Sequence, residues 1–254
     1  MGSENIKLPS IDFSHEDLKP GTPVWNQVKS KVHKALVEYG CFEESFDKIP
    51  IHLRNSIFEF SQEVFNLPLE TKVRNVSTKP FYGYVGHFPK VPLYESMGID
   101  DANIPHEVEK FTQILWPQGN PTFCKTTQSY SEQLVELDQI VKGLQVLTKD
   151  GQWINVDATP NTFTVIIGDS LHAWTNGRLH SSYHRVMMTG NEARYSVGLF
   201  SLPKAGYTIK APEELVDDEH PLLFKPFDHL KFLAFCYSKE GMRWEFPLKT
   251  YCGV

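Results

Sequence analysis

Tyr183-His184-Arg185-Val186, followed by Arg194-Tyr195-Ser196, is the stretch of this sequence that decides the fold. Two runs of strand-forming residues flank a Thr-Gly-Asn turn, which predicts a β-hairpin. The histidine would lie on one strand, while the arginine and the serine, two residues apart, would point to one face of the next strand. An arginine binds a carboxylate through two parallel hydrogen bonds, and a neutral imidazole is a ligand for Fe(II). The segment therefore predicts half of a site for a metal ion and an oxo acid.

Working outward, the sequence before residue 143 is mainly helical in its periodicity. A short strand at Leu8–Phe13 precedes a helix that Thr22 caps and Gly40 ends, because threonine, proline and glycine mark those positions. Further predicted elements are an extended piece at Cys41-Phe42, a helix over Ile51–Phe65, an ordered but irregular proline-rich layer over 79–121, and a helix over Cys124–Val141.

From Gly143 onward the periodicity becomes two-fold, which is typical of strands. The predicted elements are a hairpin over Leu144–Val156, a strand over Thr162–Ile167, a helical turn over Ser170–Thr175 closed by Asn176-Gly177, strands that carry His184 and then Arg194 to Phe200, and a helix over Asp228–Tyr237. Helices first and strands later predict an α+β fold in which helices pack on a twisted antiparallel double sheet.

The order Gly168-Asp169, Asn176-Gly177, His184-Arg185-Val186 and Arg194-Tyr195-Ser196 resembles that of the plant Fe(II)/2-oxoglutarate-dependent dioxygenases. Within that superfamily the sequence is most similar to the branch that contains the AOP enzymes. The segments that carry this closer resemblance are Ala173–Arg178, Lys210–Asp217 and Tyr251–Val254.

The resemblance implies a double-stranded β-helix core of the jelly-roll or cupin type, with N-terminal helices packed against it. Residues 1–141 resemble the N-terminal region of the family, and residues 143–254 resemble the second half of its catalytic domain. It also implies Fe(II) as metal and 2-oxoglutarate as co-substrate, with His184 as an iron ligand and with Arg194 and Ser196 binding the oxo acid. The implied reaction is the oxidation of a small plant metabolite.

The family's iron site needs two histidines and one carboxylate. In the family the first histidine and the carboxylate form an H-x-D motif upstream of the hairpin at Leu144, but here Ile140-Val141 runs through Lys142-Gly143 straight into that hairpin. We therefore expect a core that lacks an internal segment, no complete catalytic set, and lost or impaired activity. Such a loss also exposes sheet edges, which favours self-association.

Alternatives remain open for the retained residues. His15-Glu16-Asp17 has the spacing of an iron pair, but its polar surroundings favour a solvated turn. His184 and Arg194 are interpreted either as remnants of the site or as ordinary structural residues. For the whole chain, a non-catalytic carboxylate-binding module and a folding-defective splice or gene-model product compete with an impaired oxygenase.

Composition limits the possible partners. The 254 residues carry a net charge of −6 with scattered Lys and Arg, which argues against a nucleic-acid or acidic membrane surface. The sequence contains no apolar run of the length that spans a bilayer, and no secretory signal is expected. Its four cysteines form no C-x-x-C pair, which is typical of reduced thiols in the cytoplasm. We expect a cytoplasmic protein with a small-molecule substrate.

Overall fold

The computed structural model describes residues 7–45, 49–80, 82–88, 91–134, 144–156, 162–188, 191 and 193–254. The chain divides into two compact units, one formed by Met1–Asp47 together with Asp138–Val254 and the other by Lys48–Leu137. Across the described ranges, no helix has the length and apolar character needed to cross a membrane. The α+β class predicted from the sequence is confirmed, because each unit combines helices with strands.

The elements follow one another as the sequence periodicity predicts over most of the chain. The α-helices are α1 (Pro23–Glu38), α2 (Ile51–Asn66), α3 (Leu69–Lys72), α4 (Pro105–Leu115), α5 (Pro121–Leu134), α6 (Asp169–Trp174), α7 (His229–Cys236) and α8 (Pro247–Cys252). The strands are β1 (Ser10–Asp12), β2 (Cys41–Ser45), β3 (Val85–Phe88), β4 (Val91–Ser96), β5 (Leu144–Leu147), β6 (Trp153–Asn155), β7 (Thr162–Ile166), β8 (His184–Val186), β9 (Thr208–Ile209) and β10 (Phe227–Asp228). Single 3-10 turns span Glu213–Leu215 and Gly241–Arg243.

Two three-stranded sheets form the centre of the first unit. One has the order β1-β2-β7, in which β1 runs parallel and β7 antiparallel to β2, and the other has the antiparallel order β6-β5-β8. A buried apolar cluster joins Cys41 of the first sheet to Leu144, Val146 and Ile154 of the second. The two sheets therefore face each other across this cluster, as the strands of a jelly roll do.

Helix α1 covers the other face of the sheet β1-β2-β7. It begins where the sequence predicts, because Thr22 Oγ1 accepts a hydrogen bond from the Trp25 backbone N–H at 3.1 Å and Pro23 occupies the first turn. Ala35 packs with Ile11 and Phe42 beneath the helix. Gly40 ends this segment with φ +70°, and a Cβ there would overlap the carbonyl oxygen of His180.

A separate apolar cluster holds the C-terminal part of the first unit together. Its buried members come from α6, β9, β10, α7 and α8, and are Ala173, Ile209, Phe227, Phe232, Leu248 and Cys252. Helix α7 begins where the sequence predicts a helix, and Asp228 caps it by accepting a hydrogen bond from the Lys231 N–H at 2.9 Å.

The second unit is a helical layer with a β-hairpin. Helices α2, α4 and α5 bury Val64, Val108, Phe111 and Phe123 against one another. Strands β3 and β4 form the hairpin, and Glu95 on β4 accepts a hydrogen bond from Lys72 Nζ at 2.6 Å.

The structure corrects two predictions. The interval 79–121 contains a hairpin and an 11-residue helix rather than only an irregular layer. Its prolines misled the prediction because Pro105 occupies the first turn of α4, and Pro92 lies in a two-stranded ribbon with an open edge, both of which tolerate proline. Likewise, residues 193–200 form no strand, although their exposure still alternates from 196 to 200.

Two predictions lie partly outside the described residues. The helix predicted over Cys124–Val141 is observed as α5 up to Leu134, and positions 135–143 are not described. The junction at Val141–Gly143 falls in that gap. The turn before Arg194 is likewise described only at Asn191.

Candidate functional site

His184 lies on the inner face of the sheet β6-β5-β8. In the antiparallel register of β5 and β8, His184 is opposite Val146 and Val186 is opposite Leu144. Residues that are directly opposite in a ladder point to the same face. Val146 and Leu144 belong to the buried cluster between the two sheets, at 1% and 2% exposure. The imidazole of His184 therefore points to the side on which an iron ion would have to lie.

The inner face is buried at β5 but open at β8. All three residues of β8 are exposed, and Val186 retains 44% of its accessible surface. His184 Nδ1 lies 3.3 Å from the Ser182 carbonyl oxygen. In the tautomer in which Nδ1 donates to that carbonyl, Nε2 keeps its lone pair.

Arg185 anchors β8 from the opposite face. Its guanidinium carbon lies 3.9 Å from the centre of the Trp153 ring, and its Nε donates to Gln145 Oε1 at 2.8 Å. Gln145 Nε2 in turn donates to Asn155 Oδ1 at 2.6 Å. Stacking on an aromatic ring is a contact that arginine makes well. The middle residue of the His-Arg-Val motif is thus structural, a role that the sequence did not indicate.

Arg194 and Ser196 lie in the irregular segment 193–200. Arg194 is partly buried, and this burial lowers the pKa of its guanidinium. Ser196 is exposed. The sequence predicted these residues on a strand next to His184; the structure places His184 on β8 and leaves this segment outside the sheets. The order of the motif residues is retained in the sequence, but residues 193–200 are not a strand of the sheet that contains β8.

The donor set does not fit a complete iron centre. All ten histidines of the sequence lie in described ranges, yet in those ranges no three His, Cys, Asp or Glu side chains are grouped so that they could hold a metal ion. His15 and Asp17, the pair with iron-like spacing, are exposed in a turn in which the Asp17 N–H donates to His15 Nδ1 at 3.1 Å. His172 Nδ1 lies 2.5 Å from the Leu179 carbonyl oxygen, which is a structural contact.

The buried side chain of Asn176 connects the segment that precedes β8 to the C-terminal part of the chain through hydrogen bonds. Its Nδ2 lies 3.1–3.4 Å from the carbonyl oxygens of Leu215, His220 and Pro221, and its Oδ1 accepts from the Leu223 N–H at 2.9 Å. The sequence predicted Asn176-Gly177 as a turn, which is confirmed by φ +50° and φ +78°. The side-chain contacts were missed, because partners 39 to 47 residues away leave no local signal.

Two family models match the chain. The model described as the 2OG-Fe(II) oxygenase superfamily matches residues 124–203, and the model described as non-haem dioxygenase in morphine synthesis N-terminal matches residues 8–97. Among curated relatives, the probable 2-oxoglutarate-dependent dioxygenase AOP1.2 of Arabidopsis thaliana is 43% identical over 304 residues, which covers 94% of each chain. The probable inactive 2-oxoglutarate-dependent dioxygenase AOP2 of the same plant is 30% identical, with 100% of this chain and 99% of the relative covered.

Solved structures of the same family have the same fold. The rice dioxygenase for auxin oxidation superposes with a TM-score of 0.77 at 25% identity and covers 98% of this chain and 100% of its own. JOX2, solved in complex with 2OG, Fe and JA, superposes with a TM-score of 0.76 at 21% identity over 98% of this chain and 90% of its own. These similarities confirm the jelly-roll core that was predicted from the sequence motifs.

The length of the alignment with AOP1.2 shows a difference between the chains. It runs over 304 positions, whereas this chain has 254 residues in total. At least 50 aligned positions therefore have no residue in this chain, although both chains are covered almost from end to end.

Proposed function

The chain belongs to the Fe(II)- and 2-oxoglutarate-dependent dioxygenases, in their AOP-like branch, and we propose that it is a member whose oxygenase activity is lost or strongly impaired. Fe(II) is the metal and 2-oxoglutarate the co-substrate of the family. In this proposal the intact form oxidises a small plant metabolite in the cytoplasm, where the four free thiols of the chain would stay reduced. We also propose that residues 1–141 form the N-terminal region of the family and that residues 143–254 form the second half of its catalytic domain.

One observation carries this proposal: His184 points to the inner face, but within the described residues it belongs to no group of three metal ligands. A non-haem Fe(II) site of this family uses two histidines and a carboxylate. A single exposed imidazole holds Fe(II) weakly, because one bond must compete with water. The 50 or more unmatched alignment positions support the loss of an internal segment, which in the family carries the H-x-D motif.

We assign the carboxylate-binding role to Arg194 and Ser196. A guanidinium stays charged at any physiological pH, so partial burial of Arg194 leaves a cation whose hydration is reduced and whose attraction for a carboxylate is increased. This supports the second candidate function, a non-catalytic module that binds a carboxylate without redox chemistry. The two candidates differ in whether oxygen is consumed.

Anaerobic titration with Fe(II) and 2-oxoglutarate, followed by admission of oxygen and assay of succinate, tests the proposal. We expect no oxygen-dependent succinate. Succinate that is formed by the unaltered chain and by the exposed control His33→Ala, but not by His184→Ala, would refute the loss of activity. Binding of 2-oxoglutarate that Arg194→Ala abolishes, without succinate, identifies the binding module.

A folding defect is distinguished in the same samples. A chain that binds neither Fe(II) nor 2-oxoglutarate and shows no cooperative unfolding by circular dichroism is a folding-defective product. Sequencing the transcript and the genomic DNA across the codons for Val141–Gly143 gives an independent test. An intervening coding segment with an H-x-D motif would identify the intact form as an ordinary enzyme of the family.

We also propose that the chain self-associates through the open side of β8. Large apolar side chains are exposed on β8 and directly after it, with 44% exposure for Val186, 49% for Met187 and 53% for Met188. Contiguous exposed apolar surface favours association. Sedimentation velocity should show a concentration-dependent rise in mass that Met187→Ser with Met188→Ser reduces. A monomer at all concentrations contradicts this part of the proposal.

A further inference from the structure

Glu44 is a carboxyl group buried in the middle of a sheet. It lies on β2, the central strand of the sheet β1-β2-β7, and is opposite Ile11 on one side and Phe163 on the other. All three side chains are almost inaccessible, with 1% exposure for Glu44 and 2% for each neighbour. The position is therefore closed laterally by strands on both sides.

Glu44 points toward helix α1. Side chains alternate along a strand, so Glu44 shares a face with Phe42. Phe42 packs with Ile11 and Ala35 in the apolar cluster beneath α1. The carboxyl group is thus enclosed between the sheet and the helix, on a face that is otherwise apolar.

The carboxyl group lacks the contacts that usually accompany burial of a charge. Its Oε1 is buried and has no hydrogen-bond partner among the residues that the structure describes. Strand β7 carries no charged residue, and Glu43 lies on the opposite face of β2. The charged and titratable residues of the other packed elements, β1 and α1, are all exposed: Asp12, Lys29, Lys31, His33, Lys34 and Glu38. An ionised carboxylate without a partner is costly to bury.

We propose that Glu44 is a pH-dependent switch on this sheet: it is accommodated in its protonated form, and its ionisation loosens the cover that β1 and α1 form over β2. Strand β1 has only three residues and lies at an edge, so it is the strand that can leave at the smallest cost. This role is independent of the iron site and of the proposed loss of oxygenase activity.

The direction of the pH effect follows from the pKa of Glu44. Burial raises this pKa from 4.5 to about 8. Between these two values the unfolded chain is ionised while the folded chain holds a proton, so folding takes up one proton. The contribution of Glu44 to stability is then greatest below pH 4.5, falls by up to about tenfold in the folding constant per pH unit as the pH rises, and stays level above about pH 8.

Urea unfolding of the full chain from about pH 5 to about pH 9 tests this direction. Glu44→Gln keeps the shape of the side chain but cannot ionise, and Glu16→Gln makes the same change at an exposed position. We expect the unaltered chain and Glu16→Gln to lose stability with rising pH relative to Glu44→Gln, and the difference to become constant above about pH 8. Identical pH dependence in all three chains would overturn the proposal.

A second readout does not depend on the variant. Infrared difference spectroscopy of the unaltered chain should show a protonated carboxyl group at neutral pH that disappears above about pH 8. Absence of that band at neutral pH overturns the proposal even where Glu44→Gln fails to fold. Hydrogen–deuterium exchange locates the opening: above about pH 8, exchange corrected for its intrinsic rate should rise first in residues 10–38. A uniform rise across the chain contradicts the assignment to β1 and α1.

Discussion

The C-terminal cluster and the inner face of β8 lie in the same unit but differ in how they are covered. The C-terminal cluster buries Phe227 and Phe232 with partners that all come from residues 173–252. Strand β8 lies within the same stretch of sequence, yet His184 and Val186 are exposed on the face that should be interior. The C-terminal cluster is thus covered by partners from its own stretch of sequence, whereas the inner face at β8 is open to solvent. The proposed loss of an internal segment would leave this face without its cover.

Among single substitutions, the largest loss of stability is expected in the C-terminal cluster. Phe232→Ala should lower the free energy of unfolding by about 3–5 kcal/mol, because the side chain is 3% exposed and its removal leaves a cavity. Phe200→Ala is the matched control, since Phe200 is 77% exposed and should change stability by less than about 0.5 kcal/mol. Urea unfolding followed by circular dichroism measures both. Equal losses would mean that the two regions are covered alike.

The next largest effect is expected from Asn176→Gly, which should lower the free energy of unfolding by about 2–4 kcal/mol. The substitution removes all the side-chain hydrogen bonds from this buried site to residues 215–223. Glycine accepts φ +50° without strain, so the loss would reflect those contacts together with the extra backbone entropy of glycine in the unfolded chain. Asn176→Ala should cost about 1 kcal/mol more, since alanine is strained in that conformation. Unfolding curves of the two variants separate the two contributions. A glycine variant as stable as the original chain would show that the contacts do not hold the C-terminal segment.

The comparison also explains which features the sequence predicted. The cap at Thr22 and the hairpin of β5 and β6 depend on residues a few positions apart, and both predictions are confirmed. The contacts of Asn176 cross about 40 residues and left no pattern in the sequence. The inward direction of His184 follows from its register with Val146, which the motif alone did not specify. Its functional role, with those of Arg194 and Ser196, stays a prediction.

A smaller effect is expected from His229, which joins α7 to α6 in the C-terminal cluster. Its Nδ1 lies 2.6 Å from Ser170 Oγ, and burial lowers the pKa of the imidazole below its usual 6.5. The folded chain therefore favours the neutral ring, so the contribution of His229 to stability is complete above pH 6.5 and falls as the pH decreases below it. The expected slope is at most about 1.4 kcal/mol per pH unit. His229→Gln should remove this slope, whereas the exposed His33→Gln should keep it.

The smallest effect should come from His184, and its partner in the ladder provides the sharpest control. His184 and Val146 are opposite each other and share a face, but only Val146 is buried. Val146→Ala should cost about 1–3 kcal/mol, while His184→Ala should cost less than about 0.5 kcal/mol, because an exposed imidazole leaves no cavity. Unfolding at low and high protein concentration measures both. Similar losses at all concentrations would contradict an open inner face at β8, whereas a loss for His184→Ala only at high concentration would mean that a second copy covers it.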